Sequence, residues 1–142
     1  MGRYHYLDEM AVADAALEVE GESLDDLFAT AARAVAEMMV DPATMPLAIA
    51  RTVTLAARSP DLLLYDWLSE LIYRKDRDHE VFPEAEVEVS ERDGWSLRAT
   101  LKGGRIDPAR TESRADPKAV TFHQFALERT AEGWRARVVI DI

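Results

Sequence analysis

The sequence contains no cysteine. Disulfides, thiolate metal sites and a cysteine nucleophile are therefore excluded, and the absence fits a reducing compartment. Histidine is scarce too: His5, His79 and His123 lie too far apart for the tight ligand spacing of a zinc motif. No run approaches the ~20 apolar residues that a membrane helix requires. Met1-Gly2-Arg3-Tyr4 is not followed by the apolar stretch of a signal peptide, so the cytoplasm is the expected address, with no membrane partner. Positive charge is in deficit: 17 Lys and Arg stand against 27 Asp and Glu, a formal charge of −10. Direct nucleic-acid binding depends on counterion release by Lys and Arg, so strong binding of that kind is not expected. An acidic balance suits solubility, cation binding or docking on a basic protein surface. There is no Gly-x-Ser-x-Gly elbow and no evident His–Asp partner for any serine. Gly103-Gly104 lacks the rest of a dinucleotide or phosphate-loop fingerprint and reads as a glycine-rich bend after a strand.

What is present describes one domain spanning residues 1–142, long enough for a substantial core. Apolar residues make up 48% and charged residues 31%, the balance of a water-exposed globular chain rather than a disordered or fibrous one. Tyr4 to Leu7 reads as a short edge strand. In Ala15 to Glu20, Ala15, Leu17 and Val19 alternate with Ala16, Glu18 and Glu20, which predicts a half-buried strand ended by Gly21. Ser23 followed by Asp26 resembles a capping box. The helix it opens is predicted over Leu24–Met39, with Leu24, Leu27, Phe28, Ala31, Val35 and Met38 as its apolar stripe. Asp25 and Asp26 sit at the positive end of its dipole, and Asp41-Pro42 stops it. Leu47 to Ala57 reads as a strand whose apolar face is interrupted by Arg51. Ser59-Pro60 opens a second helix, predicted to run to about Arg74. It is apolar on most sides, so it should lie at the centre of the domain, covered by more than one layer.

The remainder is β. Ala85, Val87 and Val89 alternate with glutamates, Asp93-Gly94 signals a hairpin, and Trp95, Leu97, Ala99 and Leu101 face inward on the return strand. Ala119 to Glu128 and Trp134 to Ile142 form a further pair. Gly103 to Lys118 is a long polar segment with two Asp-Pro steps and Arg105, Arg110, Arg114 and Lys118. Segments of this length between strands are uncommon unless functional, and this one is expected to form part of a docking or RNA-facing surface. The order of elements predicts an α+β fold: two helices packed on largely antiparallel β-sheets, in a single domain.

Taken singly, the polar residues have ordinary readings. Glu84, Glu86 and Glu88 line a solvated strand face, and pattern alone favours a partly buried structural role for His123. Asp14 alone is a strand-start residue, and Asp141 alone a surface residue at a chain end.

Four stretches change this. They are Ala13-Asp14 with Gly21-Glu22-Ser23-Leu24-Asp25-Asp26-Leu27-Phe28; Leu62-Leu63-Leu64-Tyr65-Asp66-Trp67-Leu68-Ser69-Glu70-Leu71-Ile72-Tyr73; Asp116-Pro117-Lys118-Ala119-Val120-Thr121-Phe122-His123; and Val138-Val139-Ile140-Asp141-Ile142. In this order, and across nearly the whole chain, they resemble the archease family, small proteins that assist RtcB-type RNA ligases. The chain departs from the family's Asp-His-Thr-Ala-Asp at Met10-Ala11-Val12-Ala13-Asp14, keeping only Ala13 and Asp14, and has Pro117 where the family often has valine. The resemblance implies a non-enzymatic activator that promotes guanylylation and multiple turnover of the ligase in tRNA splicing or RNA repair. It also implies a metal site at Asp14, Asp141 and Ile142, the last through its α-carboxylate, for Ca²⁺ or another hard divalent cation. Three carboxylates that close together require a cation or protons. Two alternatives remain: a general chaperone or adaptor using the acidic surface, and a stand-alone metal-dependent phosphoester hydrolase.

Overall fold

A computed structural model of the chain describes residues 2–7 and 14–142. Alternating apolar positions build seven strands in two antiparallel sheets. Strands β1 (Arg3–Leu7), β2 (Asp14–Gly21), β6 (Ala119–Thr130) and β7 (Gly133–Asp141) form a four-stranded sheet in the order β1-β2-β7-β6. Strands β3 (Ile49–Ala57), β4 (Glu80–Glu91) and β5 (Trp95–Arg105) form a three-stranded sheet in the order β3-β5-β4. Two helices, α1 (Leu24–Met39) and α2 (Pro60–Asp78), complete the α+β architecture.

Helix α1 begins where the sequence indicates. The Ser23 hydroxyl accepts from the amide of Asp26 at 3.1 Å. Asp26 is too short to return the bond to Ser23; its carboxylate instead accepts from the amides of Gly2 (2.8 Å) and Glu22 (3.0 Å), fixing the start of β1 to the helix. Asp25 accepts from the Val89 amide at 2.7 Å and ties the helix start to the end of β4. At the other end, the amides of Arg114 and Ala115 donate to the carbonyls of Met39 (2.7 Å) and Met38 (3.0 Å), and the Arg114 guanidinium donates to the Glu37 carbonyl. These satisfy acceptors that a helix end leaves open. The segment after β5, expected to be a docking surface, is thus partly a cap for α1.

Helix α2 touches α1 and strands β3, β4, β5 and β6, the central position that its all-round apolarity predicts. Trp67 is fully buried, and its indole N–H donates to the Phe28 carbonyl of α1 at 3.0 Å. Ser59 occupies the cap position but makes no side-chain cap bond; Pro60 at the first turn sets the entry. The helix runs four residues beyond the predicted Arg74, to Asp78, and ends on His79 in a left-handed conformation (φ 57°). Lys75 explains the difference: Leu64, Leu68, Leu71 and Ile72 continue at helical spacing to a buried lysine that reads in sequence as an exit.

One further expectation is corrected, and one is explained. Gly103 and Gly104 do not form a bend after a strand but lie within β5, where a Cβ on Gly104 would come within 2.7 Å of the Pro46 carbonyl oxygen and one on Gly103 would strike the Val81 carbonyl. Their small size, not their flexibility, is what the packing uses. Arg51, the charge interrupting the apolar face of β3, pairs with buried Glu80 at 2.9 Å and 3.2 Å. Because the lost hydration of Glu80 is replaced by two charge-assisted bonds, the carboxylate can stay buried.

Candidate functional site

The register of the four-stranded sheet decides which residues meet. Leu17 and Val19 on β2, with Ala136, Val138 and Ile140 on β7, turn to the core and are all buried. Side chains alternate across a strand, so Asp14 and Asp141 are forced to the outer face. There they are direct cross-strand partners, in the first pair of the β2–β7 ladder. Ala119 of β6 opposes Asp141 from the other side. Directly opposed side chains share a face with Cβ atoms about 5 Å apart, so two carboxylates stand together beside the small Ala119 side chain. Both aspartates are half-buried. Among the described residues neither carboxylate takes part in a hydrogen bond or ion pair.

Ile142 follows with its side chain half-buried against the core, as alternation requires, which leaves its backbone next to Asp141. The Lys118 amide donates to the Asp141 carbonyl at 2.7 Å and closes the strand end. The structure therefore brings Asp14 and Asp141 together and places Ile142 adjacent. Met10 to Ala13, where the chain departs from the family pattern, lies outside the described residues.

The donor chemistry fits a hard cation, which prefers oxygen ligands, mostly carboxylate, carbonyl and water. Among the described residues no group of three His, Asp or Glu side chains is arranged to hold a metal ion. A set completed by Ile142 differs from such a group in drawing its third donor from the backbone. One row further in on the same outer face, Thr121 opposes Val139, and its hydroxyl oxygen is buried without a hydrogen-bond partner among the described residues. A buried hydroxyl in that state is destabilising unless water or a ligand completes it.

The site rests on a side chain that sequence reading passed over. Lys75 of α2 is buried; its ammonium donates to the Asp116 carboxylate, to the Pro117 carbonyl (2.9 Å) and to Asp76 (2.8 Å). Burial works to lower its pKa, but the bonds and charges of Asp116 and Asp76 outweigh it and hold the pKa above the ordinary lysine value. Lys75 thereby fixes Asp116-Pro117, the two residues before Lys118 and the start of β6. Thr121 did carry a signal, as part of the Lys118–His123 run. His123 differs from expectation: it is exposed, on a bulge of β6 where Phe122 to Phe125 are inserted opposite a single β7 residue, with Gln124 left-handed (φ 53°). A partly buried structural role is thereby corrected.

Comparison with known proteins then decides the family. A model of the archease protein family matches residues 4–142. The chain belongs to the archease family. It is 38% identical to protein archease of Archaeoglobus fulgidus over 142 residues, covering 99% of each chain. It is 37% identical to that of Methanosarcina acetivorans, covering 99% of this chain and 96% of the other. The solution structure of Methanobacterium thermoautotrophicum protein 1598 superimposes with a TM-score of 0.82 at 32% identity, covering 98% of both chains. A crystal structure from Thermotoga maritima, described as an archease and possible chaperone, shares the fold with a TM-score of 0.63 at 18% identity. Among the described residues of this archease, no helix is long and apolar enough to cross a membrane.

Proposed function

We propose that this archease is a non-enzymatic activator of an RtcB-type RNA ligase, raising ligase guanylylation and turnover in tRNA splicing or RNA repair. The observation that carries the reading is the register pair Asp14–Asp141 ending beside Ile142. Such a carboxylate cluster at a strand end is costly without a counter-charge. Asp14 and Asp141 through their side chains, and Ile142 through its α-carboxylate, would hold a hard divalent cation such as Ca²⁺. The bound ion would supply positive charge at the surface offered to the ligase. The chain's own part is to preset those oxygens on a rigid sheet, with Lys75 holding the neighbouring strand. The acidic balance of −10 supports a protein partner with a basic, RNA-binding surface and argues against direct RNA capture.

The test is multiple-turnover ligation of RNA bearing a 3′-phosphate to RNA bearing a 5′-hydroxyl, with a ligase of the same genome limiting and this protein substoichiometric, in GTP and Mn²⁺. Turnover should rise with the wild type and not with Asp141→Ala. A folded wild type that leaves turnover unchanged refutes the activator reading. Salt-sensitive binding to unrelated basic proteins would then favour a general adaptor, in line with the description of the Thermotoga maritima relative as a possible chaperone. Phosphoester turnover without the ligase would favour a hydrolase.

A further inference from the structure

The bulge in β6, on the edge strand of its sheet, carries a large apolar side chain that stays open to solvent. Phe122 is 61% exposed and is the most exposed of the large hydrophobic side chains among the described residues. It stacks face to face on Tyr65 of α2, with ring centres 4.1 Å apart and planes 6° from parallel. Phe125 closes the group edge-on to both rings, at 6.0 Å from Tyr65 and 6.2 Å from Phe122. Three aromatic rings thus form a preset ledge between helix and sheet. The backbone that presents it includes left-handed Gln124, a conformation that disfavours a residue with a side chain. Strain of this kind collects where a surface has a task.

Two observations name what covers the ledge. The first is charge: Asp61, one turn before Tyr65 on α2, and Asp66 are exposed, and among the described residues the ledge rings carry no cation–π contact. A base could stack on such rings, but its phosphates would meet carboxylates. A protein with an apolar socket rimmed by Lys and Arg meets them favourably, and a ligase that binds RNA presents basic surface of this kind. The second is continuity: Phe122 directly follows Thr121 on β6, the strand whose start opposes Asp141. Because β6 is the edge strand of its sheet, a partner that faces the carboxylates and reaches round that edge meets the ledge on the other side.

We propose that the Tyr65–Phe122–Phe125 ledge is the anchor by which this archease docks on its RNA ligase, entering an apolar socket rimmed by basic side chains. The inference rests on the activator reading. Aromatic anchors dominate the affinity of such interfaces.

The experiment titrates wild type, Phe122→Ala and Phe122→Tyr against limiting ligase in the turnover assay, with circular dichroism as the check on folding. Phe122→Ala should raise the half-maximal concentration on the order of tenfold or more while reaching the same turnover at saturation. Phe122→Tyr should stay near the wild type. An active wild type with Phe122→Ala equally potent overturns the docking proposal alone; an inactive wild type overturns the activator reading and the docking with it. RNA binding by the isolated wild type that Phe122→Ala loses, read by fluorescence anisotropy, would give the ledge to RNA and also overturn the proposal.

Discussion

Replacing Asp141 by asparagine separates the electrostatics of the carboxylate pair from its packing, because the side chains are nearly isosteric. In the register of β2 and β7 the two carboxylates oppose each other directly. Two charges about 5 Å apart at an effective dielectric near 20 repel by roughly 3 kcal/mol before salt screening. Opposed like charges on sheets cost less in practice, so relief of about 1 kcal/mol is expected. For a domain of this size that corresponds to an unfolding midpoint about 3 °C higher for the variant, measured with EDTA present. Calcium should reverse the order. At a concentration of about one hundred times the dissociation constant, a cation bound only to the folded state stabilises by about 2.7 kcal/mol. The wild type gains this, while Asp141→Asn loses an anionic ligand and most of the gain. The assay is a thermal scan of both proteins in EDTA and in a CaCl₂ series. A variant that melts lower than the wild type in EDTA, or that gains as much from calcium, would refute the assignment of Asp141 to a shared cation site.

Lys75→Met should destabilise the fold by about 1–2 kcal/mol, since charge-assisted bonds are lost but the Asp116 side chain, 74% exposed, stays hydrated. Faster hydrogen exchange at the Lys118 amide, with α2 amides unchanged, would locate the loss in the strand start. Tyr4 donates to Glu37 at 3.1 Å, and burial, followed by the Glu37 charge, pushes its phenol up to about 12. A group whose pKa is raised on folding stabilises below its unfolded value and loses that contribution as pH rises through the folded one. Stability should therefore fall between pH 10 and about 12, and Tyr4→Phe should flatten that part of the urea-midpoint profile.

Elements whose signals are local were legible in the sequence. Ser23 announces α1, Asp93-Gly94 makes the β4–β5 turn with both residues at positive φ, and alternation around Leu17 and Val138 sets the faces that put Asp14 and Asp141 outside. That the two aspartates are paired could not be read from alternation, because register belongs to the sheet, not to either strand; the family resemblance supplied it. The features that escaped are those where a residue type acts against its usual sense. Lys75 fills an apolar stripe position because Asp116 meets it there. Gly103 and Gly104 continue a strand because a neighbouring backbone comes close. The Phe122–Phe125 bulge contains no glycine or proline to mark it.

The Arg51–Glu80 pair has a bearing on the chain's life among its own copies. Strand β3 is an edge of its sheet, and the hydrogen-bonding groups along its outer side could template another chain. The pair reaches over β5 from one edge strand to the other and holds a charge on the face of β3, where an added strand would need an apolar neighbour. The residue that looks like a flaw in the pattern of β3 therefore guards the sheet against aggregation. An Arg51→Val substitution, which would perfect that pattern, would open the edge.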